Sequence, residues 1–142
     1  MREIKFRAYI FDLTDKNSHP LEIDPHSGKV WDVASINFND RIIEIWDDEG
    51  DTWEYELNNE IALMQYVGAK DKNGIEIYEG DIIRHCRKKD GTDYVIMWSD
   101  ASFGFIAEPI KEKPWHPHLN PGTMISYEVI GNIYENPNLE SE

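Results

Sequence analysis

The chain has 142 residues, with 28 acidic against 14 basic side chains and a net charge of −14. That balance argues against general affinity for DNA, RNA or an anionic membrane, because every unpaired carboxylate repels phosphate. With 40% hydrophobic and 12% aromatic residues, the chain is too apolar to stay disordered, and Cys86, its sole cysteine, excludes an internal disulfide.

A chain of this length buries about 70% of its extended surface, which supports a core without staples. The expectation is one domain over 1–142, with N-terminal strands and an acidic hairpin at 1–57 and a barrel core at about 61–134. A reducing cytoplasm is the expected compartment. The N-terminal MREIKFRAY lacks the apolar core of a signal peptide, and the longest hydrophobic run, Tyr94-Val95-Ile96-Met97-Trp98, is too short to cross a bilayer. A soluble protein is expected, with no membrane partner.

Period two dominates the chain. Phe6, Ala8 and Ile10 alternate with Lys5, Arg7 and Tyr9, which predicts an opening strand with one buried face. Residues 12–29 are rich in Asp, Asn, Ser, His, Pro and Gly and predict a loop, interrupted by a short strand at Leu21-Glu22-Ile23. A β-branched and aromatic stretch follows from Val30 to Phe38. Ile43 and Ile45, then Trp53, Tyr55 and Leu57, alternate with Glu44, Trp46, Glu54 and Glu56 around the turn DDEGD. Pairing Asp47 with Asp51 sets Ile45 opposite Trp53 and Ile43 opposite Tyr55, unless a bulge at Gly50 shifts the register.

Residues 58–67 fit either a strand or a short helix capped by Asn59, with Glu60 in its first turn; a strand ending at Gly68, entered by one helical turn, is preferred. Asp71-Lys72-Asn73-Gly74 is a turn, after which Ile75 and Ile77 are expected on one face and Glu76 and Tyr78 on the other. Gly80 permits a bend, and Asp81 is placed to accept from backbone amides before Ile82-Ile83 restarts a strand. Strands at 84–88 and 93–98 flank the hairpin tip Lys89-Asp90-Gly91-Thr92. Phe103 and Phe105 predict another short strand, residues 111–122 a proline-rich loop, and residues 124–134 a closing strand ended by Asn136-Pro137. Seven to nine short strands argue for an all-β barrel or sandwich with at most one or two short helical turns.

Three stretches, MREIKFRAY, LMQYVGAKDKNGIEIYEGDII and VIGNIYENPNL, together resemble the YopX family of proteins encoded largely by phages and prophages. The resemblance implies a mainly β region built as a small SH3-like barrel or a partly open β-barrel, and a phage or prophage origin. It implies no activity and supplies no catalytic residue. Residues 11–57 lie outside these three stretches.

Motifs that carry chemistry are sparse. His116-Pro117-His118 would aim two imidazoles the same way on an extended backbone, with His19, His26 or His85 as a third ligand. His116 and His118 lack the spaced ligand set of a zinc signature, so solvated loop histidines are the preferred reading and no metal or cofactor is expected. His85 and Cys86 are strand neighbours that face opposite sides, and Cys86 is expected to be buried and inert. Asp90-Gly91-Thr92 fits the end of a phosphatase motif, but Lys88 stands where the nucleophile is needed. Loops starting at Asp47 or Asp71 have neither the sixth-position Gly nor the twelfth-position Glu of an EF-hand. Phosphate-cradling and nucleophile-elbow motifs are absent from the sequence.

Two surfaces remain. Glu44 to Glu60 holds eight carboxylates and no base, which predicts a solvated sheet face, or in the sharper reading an acidic docking face that imitates nucleic acid. Arg84, Arg87, Lys88 and Lys89 form the one basic cluster, beside Tyr94, and a solubilising hairpin tip is preferred over phosphate contact. The expected function is therefore non-enzymatic: an accessory or regulatory factor acting on a host or phage protein, with Trp46 or Trp115 as aromatic anchors inside an acidic rim. Self-association through strand edges or the basic hairpin is the further expectation, and a nucleic-acid role, by contact or by mimicry, is the alternative.

Overall fold

The period-two segments become strands in the structure, a computed structural model that describes residues 3–11, 14–15, 22–87, 92–111 and 117–140. The chain divides into two compact units, Lys5–Met64 and Gln65–Glu142 with Met1–Ile4.

The Lys5–Met64 unit contains β1 (Phe6–Ile10), β2 (Thr14–Asp15), β3 (Glu22–Ile23), β4 (Val30–Asn37), β5 (Ile42–Trp46), β6 (Thr52–Glu56) and the start of β7 (Ile61–Lys70). Its main sheet runs β6-β5-β4-β1-β7, while β2 and β3 form a separate ribbon. The β5–β6 hairpin adopts the register set by its hydrophobic alternation, with Ile43 opposite Tyr55 and Ile45 opposite Trp53. Asp47 N donates to Asp51 O at 2.9 Å, so Gly50 is absorbed in the turn and shifts nothing. The core of this unit is Ala8, Ile10, Ile43, Ile45, Tyr55 and Ile61. The alternation of the sequence is thus a division between core and water.

Of residues 58–68, Asn58, Asn59 and Glu60 form a turn and the strand begins at Ile61. The helical turn shrinks to one bond from Glu60 N to Glu56 O, 3.1 Å. Asn58 takes a positive φ of 73°, and Asn59 donates backwards to Glu56 Oε1 instead of capping a helix. Strand β7 also continues past Gly68 to Lys70.

The second unit takes the rest of β7, then β8 (Glu76–Tyr78), β9 (Asp81–His85), β10 (Asp93–Ser99), β11 (Gly104–Pro109), α1 (Pro121–Met124), β12 (Tyr127–Asn132) and α2 (Pro137–Glu140). An antiparallel sheet of order β11-β10-β9-β12 and the β7–β8 pair enclose a core of Ala69, Ile77, Ile83, Tyr94, Ile96, Ala107, Met124 and Tyr127. Ile77, Ile83, Ile96 and Met124 are fully buried in this core, and fully burying such a side chain contributes about 1.5–3 kcal/mol. The class is all-β with two short helical turns, and among the described residues neither sheet closes into a barrel.

Two turns organise this unit. The Asp71 carboxylate accepts from Asn73 N and Ile75 N through Oδ1 and from Val129 N through Oδ2, at 2.8, 2.9 and 3.0 Å. At Gly80 (φ 90°) the chain bends so that its N–H donates to Ile96 O and its carbonyl accepts from Ile133 N. Asp81 Oδ2 accepts from Tyr78 N at 2.7 Å, the expected role of that aspartate. Ile75 departs from expectation: it lies in the turn before β8 and is 46% exposed, while Tyr78 is buried. Phe103 lies in the β10–β11 turn and not in a strand. Part of the proline-rich segment becomes α1, capped by the Asn120 side chain, which delays the closing strand to Tyr127.

Candidate binding groove

The longest hydrophobic run supplies the site. In β10, Tyr94 and Ile96 point into the core and Val95 points out. The core has run out by Met97 and Trp98, which are 41% and 47% exposed. Cross-strand pairing sets Val95 opposite Glu108, Met97 opposite Ile106 and Trp98 opposite Phe105. Trp98 is held in place by its Nε1–H, which donates to Asp100 Oδ1 at 2.8 Å, and by an edge contact with the Phe105 ring at 5.3 Å. An exposed indole fixed in this way loses little conformational entropy when something packs on it.

Val95, Met97, Trp98 and Glu108 line, with the Gly80 bend, a groove of about 460 Å³. Val95, Met97, Trp98, Ile110, Ile133 and Tyr134 give it apolar surface, and Glu79 and Glu108 are its two ionisable carboxylates. No lysine, arginine or histidine lines it among the described residues. Burial pushes the Glu79 carboxyl above its ordinary range, and a backbone hydrogen bond at Gln65 partly offsets that.

The sequence-derived candidates lie elsewhere. Trp46 is 48% exposed at the end of β5, paired with Thr52. It shares the outer face of the hairpin with Glu44 and Glu54, which stand directly opposite one another. Arg84 is engaged by Asp93 through Nε and Nη2, at 2.8 and 3.0 Å. Arg87 is exposed, and its N–H donates to His85 Nδ1. The His85 ring also meets Tyr127 edge-on at 5.0 Å. His118 is exposed. Lys88, Lys89, Trp115, His116 and the tip residues Asp90 and Gly91 lie outside the described residues, as do His19 and Leu21. Cys86 is only half-buried, which corrects the expectation of a core thiol.

Sequence reasoning missed a polar network in the Lys5–Met64 unit. The His26 side chain is buried with Nδ1 2.9 Å from the Tyr55 hydroxyl, which donates to Asp24 at 2.8 and 3.0 Å. Because the phenol hydrogen goes to Asp24, Nδ1 is assigned the proton that it donates to the phenol oxygen. Trp31 and Trp53 pack on the imidazole at 5.0 and 4.7 Å. Burial, then the hydrogen bond and charge of Asp24, push the Tyr55 phenol upward. Every polar atom of this triad named here is satisfied, which marks a clamp fastening residues 24–28 to the hairpin. Nearby, Asp47 accepts from Glu49 N, Asp51 N and Trp53 Nε1. The Trp53 bond is the largest cause holding the Asp47 carboxyl below its usual range, with burial opposing it.

Fold and groove define a small all-β protein with an apolar, carboxylate-edged surface. A family profile described as YopX protein matches residues 24–140, and the chain belongs to the YopX family. The crystal structure of protein EF1440 from Enterococcus faecalis is similar over 100% of both chains, with 23% identity and a TM-score of 0.57. At that identity the likeness supports the fold alone. No curated protein matches the chain. Among the described residues no helix is long and apolar enough to cross a membrane.

Proposed function

We propose that this protein works by binding another protein, as a non-enzymatic accessory or regulatory factor of a phage or prophage acting in the cytoplasm. The observation that carries the reading is the groove, in which fixed Trp98 and exposed Met97 border two carboxylates. Aromatic and thioether side chains inside a polar rim are the usual composition of a protein-binding centre. The test is capture from host lysate by the tagged chain and by Trp98→Ala and Met97→Ala variants. The expected outcome is a discrete partner retained by the parent chain and weakened at least about tenfold by Trp98→Ala, the loss typical of a central aromatic anchor. Equal capture by parent and Trp98→Ala would sink the reading.

A second reading, mimicry of nucleic acid through residues 44–60, draws support from Glu44 facing Glu54 across the exposed hairpin face. It predicts salt-sensitive capture of a basic protein that added DNA competes away. Direct contact through the basic cluster is weakened by the commitment of Arg84 to Asp93.

A further inference from the structure

We propose that the groove beside β10 receives a lysine or arginine side chain, presented by an extended polypeptide segment whose neighbouring residues are apolar. The inference rests on the protein-binding reading and adds the chemistry of the occupant. Charge complementarity is its basis. The groove lining carries two carboxylates, Glu79 and Glu108, and no cationic side chain among the described residues. Glu108 sits opposite Val95, so a carboxylate and an apolar surface are presented side by side on the same sheet face.

Glu79 strengthens the argument, since its carboxyl is partly withdrawn from water among apolar neighbours. An ionised carboxylate so placed gains more from a cation than an exposed one does, because the surroundings screen the pair less. Trp98 contributes an exposed aromatic surface suited both to an aliphatic stem and to a cationic head. A lysine or arginine has that composition: an apolar stem for Met97, Trp98 and Ile133, and a charge for the carboxylates. The net charge of −14 acts in the same direction, repelling anionic segments and drawing in basic ones.

The experiment uses the full chain and four acetylated, amidated pentapeptides, Gly-Leu-X-Leu-Gly, with X as lysine, arginine, norleucine or glutamate. Binding is followed by NMR at the Trp98 indole N–H, assigned with Trp98→Phe. The lysine and arginine peptides are expected to bind at least about fivefold tighter than norleucine at ~20 mM salt, an advantage that shrinks at ~300 mM. Glu79→Gln and Glu108→Gln should each weaken the lysine peptide about threefold or more and leave norleucine unchanged. Equal binding of lysine and norleucine, tighter binding of glutamate, or no saturable shift up to ~5 mM peptide would overturn the inference. Its failure is separable from that of the docking reading. A captured partner lost with Trp98→Ala but indifferent to Glu79→Gln and Glu108→Gln leaves docking standing and removes the cation.

Discussion

Asp71 is nearly fully buried, yet its carboxylate has three backbone amides to accept from, one of them 58 residues away at Val129. A buried amide that loses its acceptor costs about 1–3 kcal/mol, so Asp71→Ala should destabilise the chain by about 3 kcal/mol or more in urea unfolding. Asp71→Asn, which keeps one acceptor oxygen, should fall between Ala and the parent. Equal stability of all three would show that the turn holds without its side chain. Glu79 behaves oppositely. Burial raises its folded-state pKa, so the folded chain binds the proton more tightly than the unfolded chain does. The contribution of this group to stability is therefore present at acid pH and declines as pH rises from the ordinary carboxylate value through the folded one. Glu79→Gln should stabilise the chain at pH 7 and flatten the stability profile above about pH 4.5, the ordinary value for Glu. A variant less stable than the parent at pH 7 would contradict this sign.

At the scale of elements, strand β12 contains a shift in its pairing with β9 between Val129 and Gly131. A Cβ on Gly131 would lie 2.5 Å from Asn136 Oδ1, the oxygen that accepts from Asn132 N. Gly131→Ala must displace the Asn136 side chain and should cost about 1–3 kcal/mol, as overpacking typically does. In Gly131→Ala with Asn136→Ala the two shortest contacts are gone and only the Cβ of residue 136 remains close, at 3.3 Å, so the double variant should lose less than the two single losses added together, measured by the same urea series. The elements best legible from sequence were those fixed locally. The β5–β6 register followed from alternation plus a short turn, and the Asp71 and Asp81 turns from side chains bonding amides two to four residues away. The His26–Tyr55 bond spans 29 residues and the Asp71–Val129 bond spans 58, and no local pattern encodes either. The groove was half legible: the run ending in Met97-Trp98 was visible, but alternation alone assigns one of two neighbours to the core, and both are exposed.

For the whole molecule the governing quantity is charge. At −14 the folded chain holds its carboxylates closer together than the unfolded chain does, and that self-repulsion opposes folding. Ion pairs such as Arg84–Asp93 at 2.8 Å, Arg7–Asp32 at 3.5 Å and Lys72–Glu128 at 3.6 Å offset part of it, but acids outnumber bases two to one. Raising potassium chloride from ~20 mM to ~0.5 M shortens the screening length from about 20 Å to about 4 Å, which suppresses the long-range repulsion more than the close pairs. Tm should therefore rise by a few degrees over that range in a calorimetric series. A falling Tm would mean that attraction between specific pairs, and not net repulsion, dominates the folded state. Docking of a basic segment should respond with the opposite sign, weakening over the same range because its attraction is screened too. A chain that becomes more stable while it releases its partner separates these two effects of one charge distribution, since salt-induced unfolding would lower both together.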